Sequence, residues 1–457
     1  MLLEALTGAE RASVHDAALT ILEEVGMHLA PSSRAAARVR EAGLRLDPDG
    51  RLRLPRALVE EALSRAPRVV RLGARDARWS AILDGTRTYV TTDGCGMKVI
   101  DLGTGERRPA AIADVASSAR LTDALDAFHV YWMMVSAEDI PLASRVAREF
   151  LTALQNTRKH VQMIDVTRPE EARLLVRMAR VLTEAGLAPD PPVSMLISVV
   201  SPLRLDPGGL EAALVFAAAG LPVAACSMPI ASVTAPATGP GTLVLAHAEI
   251  LGFAAILQMI CPGAPVIYTA FPAFADARTG TTNYRDPRRF WAAAAATQMG
   301  HGAHLPTFTS GELASLLMRP DMLCFGGLLE VSTLLSHAQL VADAEMLRDW
   351  FASAAPQGVT PETLAIDVIQ GVGPGGHFLA QQHTRRHIRE FVVPRFVETD
   401  RAVDPERPGA ARETPREQAR GEALRILASH QVPPLPSPVL AALERLLVEE
   451  TVDLAPV

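Results

Sequence analysis

Cysteine is scarce. Four residues, Cys95, Cys226, Cys261 and Cys324, lie far apart in 457 and form no C-x-x-C pair. That argues against a disulfide framework and fits a reduced, cytoplasmic setting. Positive charge is not in excess either. A net charge of −7 speaks against a nucleic-acid partner and against an anionic membrane surface. Apolar stretches are broken by charge, glycine or proline before the roughly 18 residues that span a bilayer. The opening MLLEALTGAERASVHDAALT lacks a basic segment leading into an apolar one, so no signal peptide is expected. P-loop, Rossmann and nucleophile-elbow fingerprints are missing. So is a D-x-H-x-x-G cobalamin-ligand pattern.

What is present is apolar residue in quantity. Hydrophobic residues at 49% against 21% charged are enough for a large core. Residues 8–29 have helical spacing, with Ala17, Ile21, Leu22, Val25 and Met27 among Glu23 and Glu24. DPDGRLRLP (47–55) is a turn into a short strand, and ALVEEAL restarts a helix. Residues 1–86 therefore form an α-rich N-terminal extension.

A regular alternation follows. Apolar, β-branched runs at 87–92, 129–135, 160–165, 193–200, 222–227, 265–270, 305–309 and 321–325 predict strands. Helical patterns at 110–125, 142–157, 169–186, 208–219, 240–260, 287–302 and 313–318 separate them, and 328–354 follows. Eight strands alternating with eight helices predict parallel pairing and an α/β fold. A (β/α)8 barrel over 87–400 is the economical closure, and an open doubly wound sheet is the alternative. The seventh helix has room for little more than a turn before Arg319-Pro320. Residues 401–420 are charged and proline-rich, so 401–457 reads as a linker with a final helix at 436–450. Apolar C-terminal helices make a homodimer an expectation.

In such a barrel the residues just past each strand line the site. They are Asp93, Glu138, Asp139, Asp165, Ser201, Ser227, Thr234, Asp276, Ser310, Glu312 and Glu330. Most such groups are ordinary loop polarity; together they make an acidic cavity suited to a cation. DGCGMKVID (93–101) either lets backbone approach a ligand or turns into a hairpin. Glu249, with His247 before it, is a carboxylate in the apolar helix LVLAHAEILGFAAIL. Burying it demands a partner, functional or structural. SMPIASVTAPATGPGT (227–242) either packs on something large and flat or is a plain buried loop. GPGGHFLAQQHT (373–384) gathers His377, Gln382 and His383 at a glycine turn, which either meets a ligand or caps a helix. The two histidines lack the spacing of a helix-borne metal pair. Cys95, Cys226 and Cys324 near strand ends leave a thiol-linked zinc site open, though two of them sit within strand patterns where a small core residue is ordinary.

Ordered segments through residues 10–400 resemble the trimethylamine methyltransferase family, corrinoid-dependent enzymes that include glycine betaine members lacking pyrrolysine. They include VHDAALTILEEVGMHL, DGCGMKVIDLGTGERRPAAIADVASSARL, NTRKHVQ, SPLRLDPGGLE, LPVAACSMPIASVTAPATGPGTLVLAHAEILGFAAILQMICPGAPVIY, GGLLEVSTLLSHAQLVADAEML and DVIQGVGPGGHFLAQQHTRRHIREF. The resemblance implies a (β/α)8 barrel that moves a methyl group from a methylated amine to Co(I) of a separate corrinoid protein. With it, Asp93, Glu249 and His377 are expected as catalytic residues. Tyr89, Trp132, Tyr268, Glu330, Gln382 and His383 are expected to hold the substrate, and Pro229, Thr234, Gly375 and Gly376 to face the corrinoid. No metal is expected on this chain. One departure stands out. Between HLPTFTSGE and GGLLE the family carries a longer stretch, which holds pyrrolysine in the trimethylamine enzyme. Here it is cut to LASLLMRPDMLC, so a larger quaternary amine such as a betaine is the expected substrate. A paralogue that binds a methylated cation without turnover is the alternative.

Overall fold

The computed structural model describes residues 4–164, 166–311, 313–354, 358–388 and 414–453. Asp165, Glu312 and residues 389–413 lie outside them, and with them most of the expected linker.

Eight parallel strands close into a barrel. They are β1 Tyr89–Thr91, β2 Val130–Trp132, β3 His160–Met163, β4 Val193–Val199, β5 Val223–Ser227, β6 Val266–Ala270, β7 Thr307–Ser310 and β8 Met322–Cys324. Cys324 beside Thr91 completes the ring. All eight overlap the predicted runs. Their near-continuous burial is what two covered faces require. Helices Ile112–Ala124, Leu142–Asn156, Pro169–Glu184, Pro207–Ala218, Gly239–Ile260 and Arg288–Gly302 cover the outside. After β7 there is only a 3-10 turn, Leu313–Met318, as the shortened sequence requires. Gly239–Ile260 is long and apolar enough to cross a membrane, but most of it is buried within the protein.

Two predicted helices and the predicted linker are corrected. The first runs as α-helix to Thr20 and as a π-helical turn over Ile21–Val25, and Gly26 then turns the chain into the short strand Met27–His28. At Gly26 φ is 74°, and a Cβ would lie 2.5 Å from the Leu52 carbonyl oxygen. The run at 328–354 becomes helical only from His337. Before it, Glu330, Val331 and Ser332 all have left-handed backbone, which no right-handed helix can continue. They join two short antiparallel strands, Leu328–Leu329 and Leu334–Leu335, and the second pairs with the hairpin Lys98–Ile100 and Arg107–Pro109. In the expected linker, residues 415–420 open the helix Pro415–Ser429, started by a Thr414–Glu417 capping box.

The N-terminal extension also carries a β-hairpin, Val70–Leu72 with Ala81–Leu83. Its side chains join the barrel interior from the amino end, packing with Tyr89, Val130 and Leu196. Lys159 fastens the same end. It is fully buried, and its ammonium donates to the carbonyls of Thr122 (2.6 Å), Leu125 (2.9 Å) and Phe128 (2.6 Å). The Trp79 ring lies 4.0 Å away. Burial pulls its pKa down to about 7, while the three carbonyls and the ring favour the charged form.

Candidate active site

Side chains on a strand alternate, so parity decides which residues reach the barrel interior. Tyr89, Val130, Trp132, Leu196, Ala224, Cys226, Ile267, Phe308, Met322 and Cys324 form the inner apolar cluster. Residues of the other parity, among them Val161, Met163, Val223, Ala225 and Tyr268, pack outward under the helices.

At the carboxyl end β1 runs on to Asp93. Its backbone N–H donates to the Gly326 carbonyl beyond β8, at 3.0 Å. The half-buried carboxylate accepts from the Ser332 hydroxyl, from Gly94 N–H at 2.8 Å and from the Cys324 thiol at 3.4 Å. Burial raises the Asp93 pKa against these donors. Burial and the nearby carboxylate push the Cys324 thiol well above its ordinary value, so it is a donor there, not a thiolate. Tyr284 adjoins Ser332, and burial and Asp93 raise its hydroxyl pKa too. The Arg289 guanidinium sits over the Tyr284 ring, 4.1 Å from its centre.

Next to this carboxylate lies an aromatic floor. Trp132 stacks on Phe271 at 6.0 Å and meets Phe308 edge-on at 5.5 Å. Gly94 permits the contact, since a Cβ there would lie 2.7 Å from the indole. The close approach its glycine allows is thus to Trp132, and DGCGMKVID goes on into the hairpin. A half-buried carboxylate beside an aromatic cluster, of which Phe271 is the half-buried member and Trp132 and Phe308 are buried, has the chemistry to attract an organic cation.

Of the expected residues, the fold brings Asp93 and Trp132 together. It sends others elsewhere. Tyr89 faces inward but at the amino end, where its hydroxyl accepts from Ile82 N–H at 3.0 Å. Tyr268 faces outward, and its hydroxyl meets His247 Nδ1 at 2.9 Å. Glu249 also lies outside the barrel wall, fully buried. Its carboxylate accepts from Ser201 (2.8 Å), from Leu203 N–H (2.8 Å) and from Ser227. That is a brace between β5 and the loop after β4. We expect Glu249→Ala to cost about 3 kcal/mol of stability, since three donors lose their acceptor. KM of the folded enzyme should stay within about twofold, and denaturant unfolding with steady-state kinetics would check both.

Glu330 is half-exposed and paired with Arg107 at the rim. Asp139 accepts from Ile112 N–H, Glu138 pairs with Arg145, and Asp276 pairs with Arg278. His377, Gln382, His383, Gly375 and Gly376 stand apart from Asp93. No residue of 358–388 is buried, and its hydrogen bonds, such as His383 Nε2 with the Glu362 carbonyl, are local. The fold therefore leaves His377 on an exposed segment and does not bring it into the barrel with Asp93. Pro229 and Thr234 do sit on a loop at the barrel mouth. The Pro229 carbonyl accepts from Ala273 N–H, and Thr234 Oγ1 from Ile230 N–H. Among the described residues, no three His, Cys, Asp or Glu side chains are grouped to hold a metal ion.

His247 also contacts His15 Nδ1, at 2.9 Å, linking the N-terminal helix to β6 through Tyr268. Burial lowers the His247 pKa to about 3. A histidine kept neutral by the fold stabilises it fully above the unfolded value of about 6.5 and loses that contribution as pH falls toward about 3. Between pH 6.5 and 5 the loss is about 2 kcal/mol. Urea midpoints should drop over that range, and less steeply in His247→Gln.

Fold and site together describe a (β/α)8 barrel with a carboxylate and an aromatic cluster at its carboxyl-end mouth. The trimethylamine methyltransferase (MTTB) family matches residues 2–319 and 322–453, breaking at the shortened connection before β8. The chain belongs to that family, and it is an enzyme of the amine methyltransferase type. It is 29% identical to trimethylamine methyltransferase MttB of Desulfitobacterium hafniense strain DCB-2, over 96% of this chain and 92% of that protein. To the glycine betaine methyltransferase of strain Y51 it is 28% identical, over 97% and 96%. The crystal structure of a hydroxylamine complex of MtmB superposes with a TM-score of 0.51 at 11% identity, covering 99% of this chain and 89% of that one, a likeness of fold.

Proposed function

We propose that the enzyme moves a methyl group from a betaine-like quaternary amine to Co(I) of a separate corrinoid protein. The observation that carries this is the Asp93 carboxylate beside the Trp132–Phe271–Phe308 floor, at a mouth with an apolar rim. Met97, Leu142, Val200, Met228, Val233 and Val331, from the loops after β1, β2, β4, β5 and β8, are exposed there. A rim of that kind marks a protein-binding surface. Co(I), as co-substrate, is already a strong nucleophile. The protein's task is to hold the ammonium, aim one N–CH3 bond at the mouth and keep water away. The loop with Pro229 and Thr234 faces the corrinoid in this reading. Homodimer formation belongs to it as well, because Val359 and Leu379 stand bare on 358–388.

The test is to mix the protein with Co(I) cobalamin and a panel of betaines, carnitine and methylamines, and to follow the visible spectrum. Appearance of methyl-Co(III) with a quaternary amine supports the reading. Binding without methyl transfer would favour the second reading, a protein that holds the cation without turnover. The short Leu313–Met318 turn is what motivates that one.

A further inference from the structure

Beneath the cation site lie polar atoms that the reading above does not use. Gln162 on β3 is fully buried, yet neither its amide nitrogen nor its amide oxygen has a hydrogen-bond partner among the described residues. Trp132 is 4% exposed, and its indole Nε1 is also without a partner among the described residues. The two residues pair across β2 and β3, so their side chains leave the sheet on the same side, about 4.8 Å apart at the backbone. That side is the interior. Trp132 belongs to the inner cluster, while Val161 and Met163, which flank Gln162, face out. Leaving such groups unpaired costs stability, and natural cores rarely do so without a reason.

We infer that Trp132 Nε1 and the Gln162 side-chain amide form a subsite for a hydrogen-bond acceptor, a carboxylate, at the inner end of the substrate. This rests on the methyl-transfer reading for its substrate and goes further. It says which end of the molecule lies deep and why. Both nitrogens donate, which suits an anion. Asp93 lies nearer the mouth and takes the ammonium. A zwitterion bound this way points its carboxylate at the barrel axis and its N-methyl groups outward. Phe271, half-buried against the Trp132 ring, is the cover that moves when ligand enters. A cation without a carboxylate gains nothing from the inner donors.

The test compares glycine betaine with tetramethylammonium, by calorimetry on the whole protein. Gln162→Leu should weaken betaine binding about tenfold or more, as loss of a hydrogen bond to a charged group does. Tetramethylammonium binding should stay within about threefold. Trp132→Phe keeps an aromatic face and should also lower the ratio of betaine to tetramethylammonium affinity. Gln162→Leu should unfold at the same temperature as the parent or higher, which separates recognition from misfolding. Equal weakening of both ligands, or of neither, overturns the subsite. Because binding is measured without cobalt, failure of methyl transfer would leave this result readable. Intact methyl transfer with an unchanged betaine affinity in Gln162→Leu would refute the subsite alone.

Discussion

Asp93→Asn should abolish most methyl transfer while leaving the fold intact. Ionised Asp93 supplies the counter-charge for the cation beside Trp132 in this reading. Burial already raises its pKa, so holding it ionised at neutral pH opposes folding. Neutral asparagine removes that cost, and the thermal midpoint should stay equal or rise. Activity should fall by about a hundredfold to a thousandfold, the scale seen when one preorganised electrostatic group is lost. The pH profile gives a second readout. With the folded pKa raised above the ordinary carboxylate value, the cation site is complete above that pKa and is lost as pH falls through it. The parent enzyme should show this acid limb, and Asp93→Asn should lack it. A variant with parental kcat/KM would remove Asp93 from the site.

Lys159→Met is expected to do the reverse, costing stability at the opposite end of the barrel. The ammonium answers three carbonyls that have been drawn into the interior at the end of Ile112–Ala124 and the turn after it. Methionine fills similar space and leaves all three without that donor. The Thr122 and Leu125 carbonyls keep the backbone N–H groups of Leu125 (3.2 Å) and Phe128 (3.1 Å), so the group left orphaned is the Phe128 carbonyl, and a loss of about 1–3 kcal/mol is expected. Denaturant midpoints would register it. If Lys159→Met unfolds like the parent, the brace is dispensable.

Much of the barrel was legible in the sequence because short apolar runs at regular intervals have few other uses. Each run holds a strand, and the cramped interval before β8 holds only a 3-10 turn. What resisted reading was local geometry. Left-handed backbone at Glu330, Val331 and Ser332 leaves no helical-period signature to betray it. The site was half legible. Asp93 and Trp132 follow from their places just past and at the end of a strand. The fold puts Tyr268 and Glu249 outside the barrel wall and Tyr89 at its amino end, because residue type was read without facing or depth. Alternation already separates Tyr268 from Thr269, and barrel depth separates Tyr89 from Trp132. The same alternation could have found Gln162, two residues from His160 and on the same face. Ser332, Tyr284 and Phe271 reach the mouth from long-range loop packing, which no local pattern encodes.

A crystal structure with glycine betaine bound tests the location of the site most directly. The account predicts the ammonium within about 6 Å of the Trp132 ring centre, beside Asp93, with the carboxylate turned toward Gln162. Ligand found instead among Pro361, Asp367 and Arg386 of the C-terminal segment, with the mouth empty, would contradict it.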